Sequence, residues 1–278
     1  MIGCDYLYSG VIEIQLDDEN LAKFYETNKI NQELICNQYV IIKDKDNNII
    51  DKRKYNGTNL ITIKNHKFKN VDILKPLDDI QLFAYDALLN KDIKVICLTG
   101  KSGTGKTKTA LSVGLEMFKQ GVYEKVILVR HAEESGKSIG FLKGDKNGKM
   151  VDGWAGCFYD NLEGSKYEFE DLVNKEKIQI ESLSLLKGRN FKKSFIIFDE
   201  AEDAFPEHIE LVGTRPNDDC KLVFVSDYEQ VSNQKYKTNS GILQLINKAK
   251  GKEWFATIEL KTNGRGVIAN FFATEFKE

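Results

Sequence analysis

The chain has 278 residues, of which 41% are hydrophobic and 29% charged, and its formal net charge is -2. This composition is typical of a globular protein with one large domain or two small ones, and it excludes a general electrostatic affinity for nucleic acid. The sequence has no basic n-region followed by an apolar core and no apolar run of about 18 residues, so we expect neither secretion nor membrane insertion. Five scattered cysteines without a Cys-x-x-Cys pair indicate reduced thiols and a cytoplasmic setting.

Residues 1–72 predict a small β-rich N-terminal domain. Short β-type runs at 8–16, 33–43 and 59–63 are separated by turn signals, and residues 39–51 have the pattern of a hairpin. One helical segment is expected near residues 20–25. We interpret this region as a structural appendage or an oligomerisation surface, and the alternative is a small barrel that contacts nucleic acid.

A helix is predicted over 76–90, directly before the strands of the main domain. Gln81 lies early in this helix. Its amide offers one acceptor and two donors, which can pair with the N6/N7 edge of adenine. A solvated glutamine on a helix surface is the commoner explanation of such a residue.

A phosphate-binding loop follows an apolar strand pattern near the middle of the chain. The strand is predicted at Ile93–Thr99, and Gly100–Thr107 has the pattern Gly-x-x-x-x-Gly-Lys-Thr. A helix with an apolar face is predicted from Thr107 to Phe118. The order strand, glycine-rich loop and helix is the context that this motif requires, so we predict binding of a nucleoside triphosphate.

Each residue type in the loop has a physical role. Glycines let the backbone turn tightly and approach a phosphate, whose charge the N–H groups and the helix N-terminus then stabilise. Lys106, which we expect on an exposed loop, supplies a charge for the β- and γ-phosphates, and the Thr107 hydroxyl suits Mg²⁺. The residues assigned to the nucleotide are Gln81, Gly100, Ser102, Gly103, Thr104, Gly105, Lys106, Thr107 and Lys108.

A second buried strand, predicted at 124–130, leads into a long stretch without periodicity at 131–150. Glycines and lysines recur in this stretch, which could follow a phosphate backbone or form a solvated loop. A helix is predicted over 151–162, and its aromatic residues could stack on bases or pack in the core. A further short strand is expected at 177–181.

The decisive second motif is an apolar strand, 194–198, that ends in two acids. In phosphate-loop enzymes the first acid, here Asp199, holds Mg²⁺ directly or through water. The second acid, Glu200, is placed to take a proton from the attacking water. The string alone is common, but its position about ninety residues after the loop makes it specific.

Another buried strand, predicted at 221–225, also ends in polar groups. If the sheet places a strand between the loop strand and the acidic strand, this is that strand. Asp227 and Gln230 would then face the γ-phosphate and could orient water.

The last strand is predicted at 254–260 and a final helix at 267–276. Arg265 lies between them, after a glycine. It is a candidate for stabilising charge on the transferred phosphate, in cis or across a subunit boundary.

Taken together, residues 76–265 resemble the PhoH-like ATPases, relatives of the RecA-like cores of superfamily-one helicases. The matching motifs are Gln81, Thr99–Thr107 (TGKSGTGKT), Gly140-Phe141-Leu142 with Gly144-Asp145, Tyr159–Leu162, Gly188-Arg189 with Phe191, Phe195–Asp203 (FIIFDEAED), Asp227 with Gln230, Ser240-Gly241 and Gly264-Arg265. The chain has Arg130-His131, Glu202-Asp203 and Ser226-Asp227 where the family usually has Arg-Pro, Gln-Asn and Gly-Asp. The stretch 39–44 is similar to the segment before the ATPase core of two-domain members, and we expect no PIN domain here because the chain begins too late to hold one.

The resemblance implies ATP binding and hydrolysis with Mg²⁺, RNA or single-stranded DNA as a partner and, by analogy, a homo-oligomer such as a hexameric ring. We therefore expect an α/β RecA-like P-loop core with a mostly parallel sheet over 73–278, after the β-rich domain at 1–72. The expected catalytic residues are Glu200, Lys106, Gln230 and Arg265, with Thr107 and Asp199 as metal ligands. One hypothesis is an ATP-driven, helicase-like remodeller of RNA or single-stranded DNA; the other is a nucleotide-gated assembly or binding protein without strand unwinding.

Overall fold

The computed structural model of the chain describes residues 8–63, 76–130, 166–228, 231, 238–262 and 271. The strands within these ranges are β1 Val11–Gln15, β2 Tyr39–Lys43, β3 Ile49–Tyr55, β4 Leu60–Thr62, β5 Val95–Gly100, β6 Lys125–Arg130, β7 Ile178–Ser182, β8 Ser194–Phe198, β9 Lys221–Ser226 and β10 Phe255–Leu260. The helices are α1 Asp18–Thr27, α2 Asp79–Leu89, α3 Lys106–Lys119, α4 Lys166–Asn174, α5 Pro206–Gly213 and α6 Gly241–Ala249.

Six strands form one all-parallel sheet in the order β10-β5-β9-β8-β6-β7. Strand β9 lies between β5 and β8, which confirms the predicted insertion of a strand between the loop strand and the acidic strand. The central strands are apolar on both faces because helices cover both sides of the sheet. The α/β fold is therefore the one expected of a RecA-like P-loop core.

Alternate residues of each strand contribute to the two layers of the core. On one side, Leu98 and Ile197 pack with helices α2 and α3. On the other side, Cys97 and Ile196 pack with α5 and α6. In the first layer, helix α3 approaches strand β8 so closely that a Cβ on Gly114 would lie 2.8 Å from the Phe195 ring.

A second, four-stranded sheet at the N-terminus has the order β1-β2-β3-β4. Strands β1 and β2 are parallel, and the predicted hairpin β2–β3 is antiparallel and continues to β4. Helix α1 covers one face through Phe24, whereas Tyr39 and Ile41 on the other face join the core beneath α2. Within residues 8–63 the strands form an open sheet, so the alternative of a small barrel is not what this part of the chain shows.

The N-terminal sheet is attached at the edge strand β10 and at helix α2. The Glu259 backbone N–H donates to Ser9 O at 3.0 Å, and the Asn37 side-chain amide donates to Phe255 O at 3.0 Å. These bonds satisfy backbone groups along the outer edge of the six-stranded sheet. The expected domain boundary at 72/73 falls in a segment outside the described residues and stays a prediction.

Helices α4, α5 and α6 were not predicted from the sequence. The close packing of α5 and α6 explains why residue 241 is a glycine, since a Cβ on Gly241 would lie 2.7 Å from Phe205 O. The predicted helices at 151–162 and 267–276 lie outside the described residues. Among the residues that the structure describes, no helix is both long and apolar enough to cross a membrane.

Candidate nucleotide-binding and hydrolysis site

The phosphate loop begins at the carboxyl end of strand β5 and ends at the first residue of α3. Gly100, Gly103 and Gly105 have φ of 132°, 87° and 81°, a region that disfavours residues with a Cβ. A Cβ on Gly100 would also lie 2.2 Å from Leu260 O of the neighbouring strand. Both conformation and space therefore require glycine where β5 enters the loop.

Lys106 begins helix α3 and is buried, with 8% of its surface exposed. Its Nζ donates to Gly100 O at 2.7 Å and to Lys101 O at 2.9 Å. The expectation of an exposed lysine is thus wrong, because the side chain folds back over the carbonyl oxygens of its own loop. The ammonium is thereby held against the carbonyl oxygens of the phosphate loop itself.

Loop residues Ser102 and Thr104 precede the helix, and Thr107 and Lys108 form its first turn with Lys106. Thr104 is buried, and its hydroxyl donates to Lys101 O at 2.9 Å. This bond closes the loop on itself.

Thr107 and Asp199 come together although 92 residues separate them in sequence. The Thr107 hydroxyl donates to Asp199 Oδ1 at 2.9 Å. Asp199 follows the buried strand β8, and burial raises the pKa of its carboxyl, whereas Arg130 and the Thr107 hydrogen bond lower it. A hydroxyl and a carboxylate beside the phosphate loop are oxygen donors of the kind that Mg²⁺ prefers.

Glu200 lies next to this pair at the start of a 3-10 turn, with φ of 57° in the left-handed region. Its side chain is 57% exposed and pairs with the guanidinium of Arg130. Burial raises the pKa of the Glu200 carboxyl, and the Arg130 charge opposes that shift. The carboxylate is thus accessible to water at the edge of the sheet.

Gln81 lies beside the loop rather than on a solvated face. Its side-chain oxygen accepts from Leu77 N at 2.9 Å, which orients the amide. The opposite end, Nε2, lies 3.9 Å from the position of a Cβ on Gly105. The structure therefore brings Gln81 together with the phosphate loop.

Asp227 and Glu202 form a link that was not predicted from the sequence. The Asp227 backbone N–H donates to Glu202 Oε2 at 3.0 Å. Glu202 is buried, and burial is the main reason that the pKa of its carboxyl is raised to about 7. The link joins the turn after β8 to the segment that leaves β9. The only signal in the sequence is that Glu202 stands where the family has glutamine.

Arg130 is the second residue whose contacts were missed. It ends strand β6, and its side chain reaches both Asp199 and Glu200. Gln230, Arg265 and the stretches 131–150 and 151–162 lie outside the described residues. Among those that are described, no three His, Cys, Asp or Glu side chains are grouped as a self-contained metal centre.

A family model described as "PhoH: PhoH-like protein" matches residues 73–267, well over half of the sequence. The chain belongs to the PhoH-like family. The match covers the phosphate loop, the acidic motif and strand β10, and it begins after the N-terminal sheet.

Curated PhoH proteins align with this chain at moderate identity. Protein PhoH2 of Bacillus subtilis is 29% identical over 97% of this chain and 64% of its own length. Protein PhoH2 of Mycolicibacterium smegmatis is 31% identical over 68% of this chain and 44% of its own. A PhoH-like protein of Bacillus subtilis is 33% identical over 58% of this chain and 50% of its own. The chain therefore spans less than two thirds of the length of these relatives.

Among solved structures, Pif1 helicase from Candida albicans matches 68% of this chain and 40% of its own with 16% identity and a TM-score of 0.33. Bacteroides Pif1 bound to ssDNA matches 72% of this chain and 45% of its own with 14% identity and a TM-score of 0.36. The fold assignment rests on the strand order and the loop geometry described above.

Proposed function

We propose that this PhoH-like protein is a Mg²⁺-dependent ATPase that couples hydrolysis to the binding or remodelling of RNA or single-stranded DNA. The observation that carries the proposal is the 2.9 Å contact between Thr107 Oγ1 and Asp199 Oδ1 beside the buried Lys106 ammonium. This arrangement provides metal ligands and a phosphate-binding cation at one end of the sheet.

The residues present fit the proposed roles. Lys106 and the loop N–H groups bind phosphate, and Gln81 contacts adenine. Thr107 and Asp199 hold Mg²⁺, which when bound neutralises charge on the phosphates. Glu200 accepts the proton of the attacking water, so that ATP and water give ADP and phosphate. Gln230 and Arg265, which lie outside the described residues, belong to the proposal as the water-orienting group and the transition-state cation.

The nucleic-acid part of the proposal depends on local basic residues, because the formal net charge of the chain is -2. Basic residues of the N-terminal sheet pair with acids: Lys43 with Glu13, Lys45 with Asp18, Lys52 with Asp79, and Arg53 with Asp51. The lysine-containing stretch 131–150 follows β6 directly in the sequence and lies outside the described residues. We assign the contact with nucleic acid to this stretch as part of the proposal.

Phosphate release by the purified chain, with and without single-stranded RNA or DNA, tests the proposal. We expect Mg²⁺-dependent turnover that EDTA abolishes and that polynucleotide increases, with the increase lost steeply as salt rises. If polynucleotide does not change the turnover but ATP changes the native mass, the nucleotide-gated assembly is favoured instead. A complete lack of Mg-ATP hydrolysis under all conditions would refute the ATPase.

The same proposal includes a reducing, cytoplasmic setting. Cys36, Cys97 and Cys220 are free thiols in the part of the chain that the structure describes. Burial raises the pKa of the Cys97 and Cys220 thiols, which makes them poor nucleophiles.

A further inference from the structure

Arg130 occupies a position from which it reaches both acids of the hydrolysis site. It is the last residue of β6, which neighbours β8 in the sheet, and Val129 is paired with Phe198. The Asp199 backbone N–H continues this pairing by donating to Val129 O at 3.0 Å. Arg130 is therefore held beside Asp199 and Glu200 by the ladder between two central strands.

The guanidinium contacts the two acids through different nitrogen atoms. Nη2 donates to Glu200 Oε1, and Nε lies 3.7 Å from Asp199 Oδ2. The arginine side chain is 11% exposed, whereas that of Glu200 is 57% exposed. A largely buried, planar cation thus pairs with one oxygen of a carboxylate that is more than half exposed.

The backbone at Glu200 gives this contact its importance. With φ of 57°, Glu200 is in a left-handed conformation that costs a residue with a Cβ about 1–3 kcal/mol. In this turn after β8, the Glu200 carboxylate is paired with the guanidinium of Arg130. A carboxylate has two oxygens, and Arg130 engages one of them, so the other can accept a proton from water.

We propose that Arg130 is a positioning residue for ATP hydrolysis, which holds the Glu200 carboxylate in the orientation that accepts the proton of the attacking water. This inference rests on the proposed ATPase function. It differs from a purely structural role, in which Arg130 would only compensate the buried charge of Asp199.

A double-mutant cycle between Arg130→Gln and Glu200→Gln tests the proposal. Glu200→Gln keeps the shape of the side chain but removes the proton acceptor, so nothing is left for Arg130 to position. In the wild-type background we expect Arg130→Gln to lower kcat by about 10–100-fold and to change KM for ATP by less than about twofold. In the Glu200→Gln background, measured by single-turnover hydrolysis of radiolabelled ATP, the further loss should be less than about twofold.

Arg53→Gln is the matched control, since Arg53 also forms a partly buried pair, with Asp51, but in the N-terminal sheet. It should leave kcat unchanged. Should Arg130→Gln not fold, as judged by thermal unfolding, Arg130→Lys carries the same test, because an ammonium keeps the charge but not the two-nitrogen contact.

Three results would overturn the proposal. An equal loss of turnover in both backgrounds would show that Arg130 acts independently of Glu200. Wild-type kcat in folded Arg130→Gln would remove the residue from the mechanism while leaving the ATPase intact. Absence of hydrolysis by the wild-type chain would refute the ATPase and the positioning role together.

Discussion

At the scale of single residues, burial and charge oppose each other at the acids that follow strand β8. Burial raises the pKa of the Asp199, Glu200 and Glu202 carboxyls, and the guanidinium of Arg130 opposes the shift at the first two. At Glu202, backbone hydrogen bonds lower the pKa, and the charges of Asp199 and Glu200 raise it further. With a pKa of about 7, the Glu202 carboxyl is about half ionised at neutral pH.

Lys106→Ala should abolish turnover, because the variant lacks the cation that we propose binds the β- and γ-phosphates. The substitution also removes the donor for two loop carbonyls, so a loss of stability of about 1–2 kcal/mol is expected. Phosphate release, fluorescent-nucleotide binding and thermal unfolding measure the three effects. Lys119→Ala, at the exposed end of the same helix, is the control. Undiminished hydrolysis in folded Lys106→Ala would remove the loop from the active site.

Glu202→Gln should stabilise the protein in a pH-dependent way. The pKa of the Glu202 carboxyl rises from 4.5 to about 7 on folding. Below pH 4.5 it is protonated in both the folded and the unfolded chain and costs nothing, whereas between 4.5 and 7 the folded chain retains a proton that the unfolded chain loses. Stability therefore falls as pH rises through this window, and above it the penalty reaches about 3 kcal/mol.

Glutamine keeps an oxygen that can accept from Asp227 N but has no charge to desolvate. We expect its free energy of unfolding to exceed that of the wild type by about 2–3 kcal/mol at pH 8 and to equal it near pH 4.5. Denaturant titrations at the two pH values measure the difference. A gain that is the same at both would assign the effect to packing rather than to ionisation.

At the scale of elements, helix α2 connects the N-terminal sheet to the candidate nucleotide site. One end of the helix carries Gln81 beside the phosphate loop, and Asp86 near the other end accepts from Tyr39 OH at 2.7 Å and Lys54 Nζ at 3.2 Å. Lys54 and Asp86 are each 6% exposed. The buried Lys221 side chain donates from Nζ to Asn90 O at 2.7 Å at the end of the helix, and its burial lowers its pKa well below the ordinary value. The helix is thus fixed by polar contacts away from solvent.

Asp86→Ala should destabilise the protein by about 3–5 kcal/mol, because it leaves the Lys54 ammonium buried without the carboxylate it pairs with. Glu124→Ala breaks an exposed pair with Lys193 and should cost less than about 0.5 kcal/mol. Combining Asp86→Leu with Lys54→Met and Tyr39→Phe should recover most of the loss, since all three polar partners are then replaced by apolar groups. Equal costs for Asp86→Ala and Glu124→Ala in denaturant unfolding would contradict the importance of the buried pair.

At the scale of the whole molecule, the strand order gathers several chain segments at one edge of the sheet. Leu260 is paired with Gly100, so the chain leaves β10 directly beside the phosphate loop. Arg265 follows five residues later in the sequence and lies outside the described residues. Its role in stabilising charge on the transferred phosphate, in its own site or in that of a neighbouring subunit, stays a prediction.

Arg265→Ala should lower turnover by about 10³–10⁵-fold with little effect on nucleotide affinity, since the charge it stabilises develops during transfer. If the arginine acts in trans, mixing this variant with Lys106→Ala should restore part of the activity, because one hybrid interface contains both intact residues. Samples that contain only one of the two variants, treated in the same way, are the control. Lack of rescue despite demonstrated subunit exchange would indicate action in cis, and wild-type turnover in the single variant would exclude Arg265 from the mechanism.

The amino-acid sequence by itself determined the parts of this protein that depend on local patterns. The phosphate loop, the buried strands β5, β6, β8 and β9, and the acids that follow β8 were all predicted, because loop chemistry and apolar runs depend on neighbouring residues. The position of β9 was also expected, provided that the sheet places a strand between the loop strand and the acidic strand. Lys106 shows the limit of that reasoning, since its burial arises from a fold of the loop that the motif does not specify.

Only the tertiary structure decided which distant groups meet. Arg130 and Glu200 are 70 residues apart, and Glu202 and Asp227 are 25 apart. Tyr39 reaches Asp86 across 47 residues. Each contact depends on the order of strands in the sheet or on the docking of the N-terminal sheet against α2, and neither is encoded in residue spacing. The physical reason is that contacts between elements follow from how apolar faces are buried against each other, which is a property of the folded chain as a whole.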